Sequence, residues 1–272
     1  MKRFAALAVS VVAVAGLVGC GGGGGDDVVG SPSGLSAEGY YAGGLRVTAF
    51  PAVVGNPAIP NASTAFQMLV LESGEFWTFY GKPNGASLDI EGFAQGTGTS
   101  NGALFTAGGV RYFPAPPDLG TNAVASASYT ASARSISGTI TDASTTATFN
   151  SVPLVAPAYS YAAAASLASL TGAWTVRGPA NDEYTLNVAV GGSFTATPTT
   201  LPGCSFSGTF VPRTTGKNVF NVSVTNGGNP CTLENLVSTG VAYLTPAGAL
   251  VQLTFATVSA DRQLGAVVSG LR

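Results

Sequence analysis

Phe220-Asn-Val-Ser-Val-Thr225 alternates apolar and polar residues without a break, and Tyr184-Thr-Leu-Asn-Val188 repeats the pattern, with Val190 continuing its apolar series. A period of two places Phe220, Val222 and Val224 on one face and Asn221, Ser223 and Thr225 on the other, as in a strand with one side in a core and one in water. The same criterion, applied outward, predicts strands near 40–49, 65–72, 75–81, 88–99, 102–113, 122–133, 135–141 and 144–150. A second series follows near 173–178, 183–190, 193–199, 203–212, 217–225, 235–244, 249–258 and 264–271. Glu72-Ser-Gly74, Lys82-Pro-Asn-Gly85 and Ser100-Asn-Gly102 carry hairpin chemistry at three of the breaks. The stretch from Pro51 to Ala62 holds three prolines and cannot be strand interior. Apart from a short helix-compatible patch of Ala, Ser and Leu before Leu170, no helical period competes, so the expected fold class is all-β.

The two series correspond in order. Gly39-Tyr-Tyr41 answers Gly172-Ala-Trp174, Gly74-Glu-Phe76 answers Gly192-Ser-Phe194, Phe93-Ala-Gln-Gly96 is echoed by Phe206-Ser-Gly208, and Gly102-Ala-Leu-Phe105 is matched by Gly216 through Phe220. This predicts a tandem repeat of one eight-stranded antiparallel meander. Each copy is expected to close into a barrel, because closure removes the sheet edges. The expected divisions are a signal peptide over 1–19, a lipidated Gly-rich tether over 20–37, a first barrel over 38–152, a linker over 153–166 and a second barrel over 167–272. Each half should then close its own hydrogen bonds and fold without the other. A barrel of this strand number is either filled by side chains or holds one small ligand.

At the N-terminus, Lys2 and Arg3 precede the apolar run Phe4 to Leu17, and the small residue Gly19 precedes Cys20, which together read as a secretory signal. The run falls short of the roughly 20 residues needed to span a bilayer. Leu17-Val18-Gly19-Cys20 resembles the bacterial lipobox. That resemblance implies cleavage before Cys20, acylation of Cys20 with palmitate-type chains, and anchoring in a lipid bilayer; Gly21 after the cysteine implies the outer membrane. Gly21 to Ser36 is a polar tether with a mean reach of about 20–25 Å. Export places Cys204 and Cys231 in an oxidising compartment, neither sits in a CxxC pattern, and no histidine is present to complete a zinc site, so a disulfide is expected.

Two further resemblances bear on architecture. Leu167-Ala-Ser-Leu170-Thr-Gly172-Ala-Trp174 is similar to the opening of calycin barrels, which implies a short helical turn leading to an indole that plugs the barrel floor. The plan of lipid anchor, glycine tether and small Gly-rich barrels resembles the barrel domains of Gram-negative surface lipoproteins such as transferrin-binding protein B and factor H-binding protein. It is also similar to lipoproteins with a Cys-Gly-Gly-Gly-Gly start. These resemblances carry over no binding motif.

The chain has no histidine, which excludes Ser-His-Asp and Cys-His mechanisms and His-based metal sites. Formal charge is −2, made more negative by loss of Lys2 and Arg3, so no basic surface exists for nucleic acid. Lys82 and Lys217 lie outside any Ser-x-x-Lys pattern. Paired carboxylates could serve a glycosidase, but Asp89 and Glu91 alternate with Leu88 and Ile90, which must point inward, and Asp182-Glu183 lie in a turn. Both pairs read as solvated, and no catalytic residue, metal or cofactor is expected. In Phe76-Trp-Thr-Phe-Tyr80, Trp77 and Phe79 share a face opposite Phe76, Thr78 and Tyr80. One set must be covered by a neighbour or offered to a partner, with the Pro-rich loop beside it. The expected function is that of a monomeric, non-enzymatic, membrane-anchored lipoprotein that binds a protein or other envelope partner or serves envelope structure. The alternative is a carrier of a small apolar ligand inside one barrel.

Overall fold

Backbone pairing follows chain order throughout. In the computed structural model, which describes residues 36–49, 64–114, 121–130, 134–143, 145–154, 158–178, 182–200, 203–231 and 233–272, the first series comprises β1 (Gly39–Ala49), β2 (Thr64–Val70), β3 (Glu75–Asn84), β4 (Ser87–Asn101), β5 (Leu104–Pro114), β6 (Thr121–Thr130), β7 (Ser135–Thr141) and β8 (Thr145–Ser151). Each strand pairs antiparallel with the next, and β8 returns to β1. After the short helix α1 (Leu167–Leu170) come β9 (Gly172–Arg177), β10 (Glu183–Val188), β11 (Ser193–Pro198), β12 (Phe206–Pro212), β13 (Phe220–Asn226), β14 (Val237–Ala247), β15 (Leu250–Ser259) and β16 (Gly265–Leu271). These close in the same way, β16 against β9. The protein is all-β, with two closed eight-stranded antiparallel barrels.

Where strand ends depart from the expected positions, a competing partner accounts for it. β13 begins at Phe220 and not near 217, because the segment before α1 claims the backbone there: Asn218 N donates to Tyr161 O at 3.0 Å and Ala165 N to Lys217 O at 3.3 Å. β12 begins after Ser205, whose carbonyl accepts Gly227 N at 2.8 Å beside the Cys204–Cys231 disulfide. Val190, expected on the inner face, is 80% exposed. The strand has ended at Val188, and Gly192 N closes a turn onto Ala189 O at 2.9 Å.

The repeat is visible in equivalent contacts. Tyr41 donates its hydroxyl to Ala37 O at 2.8 Å, and Trp174 donates Nε1 to Leu170 O at 2.7 Å, each four residues back. Gly74 and Gly192 both adopt positive φ, +81° and +85°. Their carbonyls accept Gly98 N at 2.9 Å and Phe210 N at 2.8 Å, and a Cβ on either glycine would come within 2.3 Å of the carbonyl oxygen of Gly98 or Phe210. Arg272 completes the floor of the second barrel: its guanidinium lies 4.1 Å from the Trp174 ring centroid and donates to Thr171 O at 2.7 Å and Ser169 O at 2.8 Å. Above that floor, Phe194, Phe210 and Phe255 pack ring against ring. The first barrel is filled by Phe66, Phe76, Phe105 and Phe149, with the small inward residues Ala123, Ala125 and Ala127 of β6 making room for them.

Gly192→Ala should cost about 2–3 kcal/mol in urea unfolding, from positive-φ strain and the backbone clash. The adjacent Gly191→Ala, with no heavy atom within 4 Å of its added Cβ, should stay within about 0.5 kcal/mol of the parent. Reduction of Cys204–Cys231, separated by 27 residues, should lower stability by about 3–4 kcal/mol, read as a fall in the thermal midpoint with dithiothreitol.

Candidate functional site

β3 is buried on both faces through its middle. Phe76, Thr78 and Tyr80 point into the first barrel, while Trp77 and Phe79 point out of it and are 1% and 0% exposed. Leu69 and Leu71 from β2 and its turn, Phe93 from β4 and Phe113 from β5 join them on that outer face. The opposing surface is the outside of β14 and β15, presenting Val241, Tyr243, Ala256 and Val258, with Tyr40 of β1 and Tyr159 and Tyr161 of the linker wedged between. Ring centroids lie 4.6 Å apart for Phe93–Phe113, 5.8 Å for Trp77–Phe93, 5.4 Å for Phe79–Tyr243 and 4.7 Å for Tyr40–Tyr159. Gly265 admits Phe93 and Phe113, since a Cβ there would stand 2.7 Å from the Phe113 ring. Trp77 and Phe79 therefore form an internal seam between the barrels, and the partner surface expected at these two residues lies covered by β14 and β15.

A polar frame surrounds the seam. The Gln252 side chain mimics a strand partner for Leu88, accepting from its N at 3.1 Å and donating to its O at 2.7 Å. Tyr243 donates to Gln67 Oε1 at 2.7 Å. In the β15–β16 turn, Arg262 reaches across to Gln95 Oε1 at 2.7 Å, Gln95 O at 2.9 Å and Gly109 O at 3.1 Å, the last exposed by a bulge in β5. Arg111 returns a bond to Arg262 O at 3.0 Å. Glu72 pairs with Arg213, and Glu38 pairs with Lys217 at 2.8 Å.

Burial governs the electrostatics of the seam. It pushes the phenols of Tyr40, Tyr159 and Tyr243 far above their ordinary range, with neighbouring tyrosines adding to the effect at Tyr159 and Tyr243. Inside the first barrel Tyr41 is pushed up to about 12, by burial first and then by Tyr129. Burial also raises the Glu72 carboxyl, but hydrogen bonds and charge from Arg213 outweigh it and hold the group below the usual carboxylate range.

Among the described residues, space for a ligand is found inside the first barrel and in grooves on the surface, one of which, of about 310 Å³, lies over the outer face of β11–β13 beside Ser205 and Asn226. Inside the first barrel, Leu45, Thr78, Tyr80, Tyr112 and Asp142 surround a cavity of about 30 Å³. That has room for about two waters, far below the roughly 300 Å³ of a small-molecule site. Outside, a groove of about 380 Å³ runs between the start of β3 and the outer face of β12–β14, bordered by Glu75, Trp77, Arg213 and Asn221. Glu75 Oε1 accepts from Trp77 Nε1 at 2.9 Å and from Gln95 Nε2 at 3.3 Å, and Arg213 donates to Asn221 Oδ1 at 2.8 Å. No local pattern marks this groove, because its walls come from both barrels.

The other expected site residues fall as follows. Cys204 and Cys231 are bonded. Cys20 and the Pro-rich 51–62 loop lie outside the described residues. Glu91 pairs with Lys82 at 2.8 Å in solvent, Asp89 accepts from Asn84 Nδ2 at 3.2 Å, and Asp182 and Glu183 are exposed. Leu88 and Ile90, expected to point into the barrel, turn toward the seam. A bulge that leaves Glu91 unpaired opposite Tyr80 and Gly81 reverses the alternation there.

No protein-family model and no curated protein matches the chain. One solved structure is similar, a tryptophan-to-alanine mutant of the vaccine antigen Transferrin Binding Protein B from Haemophilus parasuis Hp5, at 8% identity over 89% of this chain and 76% of that one, with a TM-score of 0.22. At that score the likeness carries no argument, and the fold rests on the strand pairing alone.

Trp77→Ala should destabilise the protein by about 3–5 kcal/mol. The two halves, produced as separate chains, should each be β-rich by circular dichroism and should co-purify through the exposed seam; failure to associate would count against the seam as their common core. Because the folded chain keeps phenol protons that the unfolded chain gives up above about pH 10, stability should hold below that pH and fall as pH rises beyond it. Phenolate absorbance should then appear together with unfolding, whereas early titration of most tyrosines would contradict their burial. On the acid side, the Glu72 contribution should be lost as pH falls below about 4.

Proposed function

We propose that this chain is a non-enzymatic envelope lipoprotein, anchored through acylated Cys20 in the outer membrane, that holds its two barrels as one rigid platform for a macromolecular partner. The observation that carries this is the use of space. Aromatic side chains fill both interiors and the seam joins the barrels, so the recognition chemistry open to a ligand lies on their outside. A carrier role inside a barrel would need roughly ten times the volume found in the first barrel. The lipobox resemblance and the polar stretch after Cys20 support the anchor, and the low net charge supports a partner other than nucleic acid.

Cys20→Ala should abolish palmitate incorporation and leave the protein soluble or as uncleaved precursor. Continued labelling would overturn the anchor. Protein extracted from membranes should carry no stoichiometric apolar molecule by native mass spectrometry, and finding one would restore the carrier reading. Protease shaving of intact cells then reports which side of the membrane the platform faces.

A further inference from the structure

The two ends of the second barrel differ in chemistry. Its floor is closed by the β10–β11 turn, the β14–β15 hairpin and the last residues of β16. Because β10, β9, β16 and β15 are successive neighbours in the closed sheet, these pieces stand side by side. Turn tips ordinarily take Asn, Asp or Ser beside their glycines. Here Ala189-Val-Gly-Gly192 and Pro246-Ala-Gly-Ala-Leu-Val251 carry no charge and no polar side chain. Val190 is 80% exposed, and Leu250, Val251 and Leu271 are 47%, 38% and 37% exposed. Arg272 sets a cation among them, exchanging backbone hydrogen bonds with Val251 at 2.9 and 3.1 Å. The four acidic residues of this barrel, Asp182, Glu183, Glu234 and Asp261, lie at the opposite end, where β9 gives way to β10, β13 to β14 and β15 to β16.

Exposed apolar turn tips with a cation and no acidic residue of their own suit the headgroup layer of a phospholipid bilayer, where Val and Leu side chains enter the acyl boundary and Arg meets phosphate. The start of the folded chain says what brings a bilayer there. Glu38 pairs at 2.8 Å with Lys217, in the loop that follows β12, and the end of β12 meets the β10–β11 turn through Phe210 N and Gly192 O. The stretch from Gly21 to Ser36, with its mean reach of about 20–25 Å, therefore joins the barrels at the apolar end. We propose that the floor of the second barrel rests on the membrane that holds Cys20, so that the platform is oriented as well as anchored. This rests on the lipid-anchor reading and deepens it. Contact through four side chains is too small to hold a free protein on a bilayer, but a tether of this length makes it an intramolecular step, at an effective concentration on the order of 1 mM.

The test uses the mature acylated protein in vesicles of phosphatidylethanolamine and phosphatidylglycerol, with an environment-sensitive fluorophore on Val190→Cys, Leu250→Cys or, past the far end of β11, Thr200→Cys. Lipid with brominated acyl chains should quench the two floor labels by about half, as expected of groups 5–10 Å into the headgroup and acyl boundary, and should leave the Thr200 label unchanged. Leu250→Asp should remove the quenching of the Val190 label without releasing protein from the vesicles; if that variant melts early, Leu250→Ser takes its place. Protein that floats with the vesicles while its floor labels stay unquenched, or with equal quenching at all three positions, would overturn the proposal. A floor label shifted to the blue but untouched by bromine would overturn it as well, by assigning the floor to a second copy or to another protein. Protein that lacks palmitate and fails to float would instead remove the anchor, and this orientation with it.

Discussion

Trp77, Phe79, Phe93 and Phe113 project from the outside of the first barrel, where a closed sheet ordinarily meets water, and β14 and β15 cover them. Closing a barrel satisfies the backbone but says nothing about its outer side chains. The first barrel therefore depends on the second to remove this aromatic face from solvent, and the second contributes Val241, Tyr243 and Val258 in return. Interfaces between domains of one chain are commonly polar enough to permit relative motion. An aromatic seam ringed by directional hydrogen bonds does the opposite: burial supplies the free energy, while Gln252, Arg262 and Tyr243 fix the orientation. Among the charged residues, Glu38, Glu72, Arg111, Arg213, Lys217 and Arg262 gather at this junction.

The two copies solve the same filling problem differently. The second barrel spreads large rings around its interior, with Phe194, Phe206, Phe210, Phe220 and Phe255 on four strands. The first sets bulky rings opposite a column of alanines on β6. Gly96 and Gly208 stand at corresponding places and serve the same end, since a Cβ at either would come within 2.8 Å of the ring of Phe76 or Phe194. Divergence has touched the packing more than the backbone plan.

That plan was legible in the sequence because it is written locally. Period-two alternation and turn glycines place all sixteen strands, and the ordered correspondences pair the two barrels. The exceptions are long-range. Asn218 is taken from its strand by Tyr161, 57 positions earlier in the chain, and the bulge at Glu91 reverses the faces of Leu88 and Ile90. For Trp77 and Phe79 the alternation shows that a cover is required, without naming it. The missed signal was in β15: Leu253-Thr-Phe-Ala-Thr-Val258 carries no charge on either face, as expected of a strand buried on both sides. The groove had no such signal, because its walls come from both barrels, Glu75 from the first and Arg213 and Asn221 from the second.

From Gln252 to Ser259 every side chain of β15 is buried, alternately inside the second barrel and in the seam. Most strands of the molecule have one face where a substitution meets only water, and sequence can drift there at little cost. β15 has none over these residues, and the Phe76–Phe79 stretch of β3 faces it under the same restriction. Variation across descendants of this chain should therefore thin out in two short segments that no ligand touches, and a profile built on surface function alone would pass over the residues under the tightest constraint.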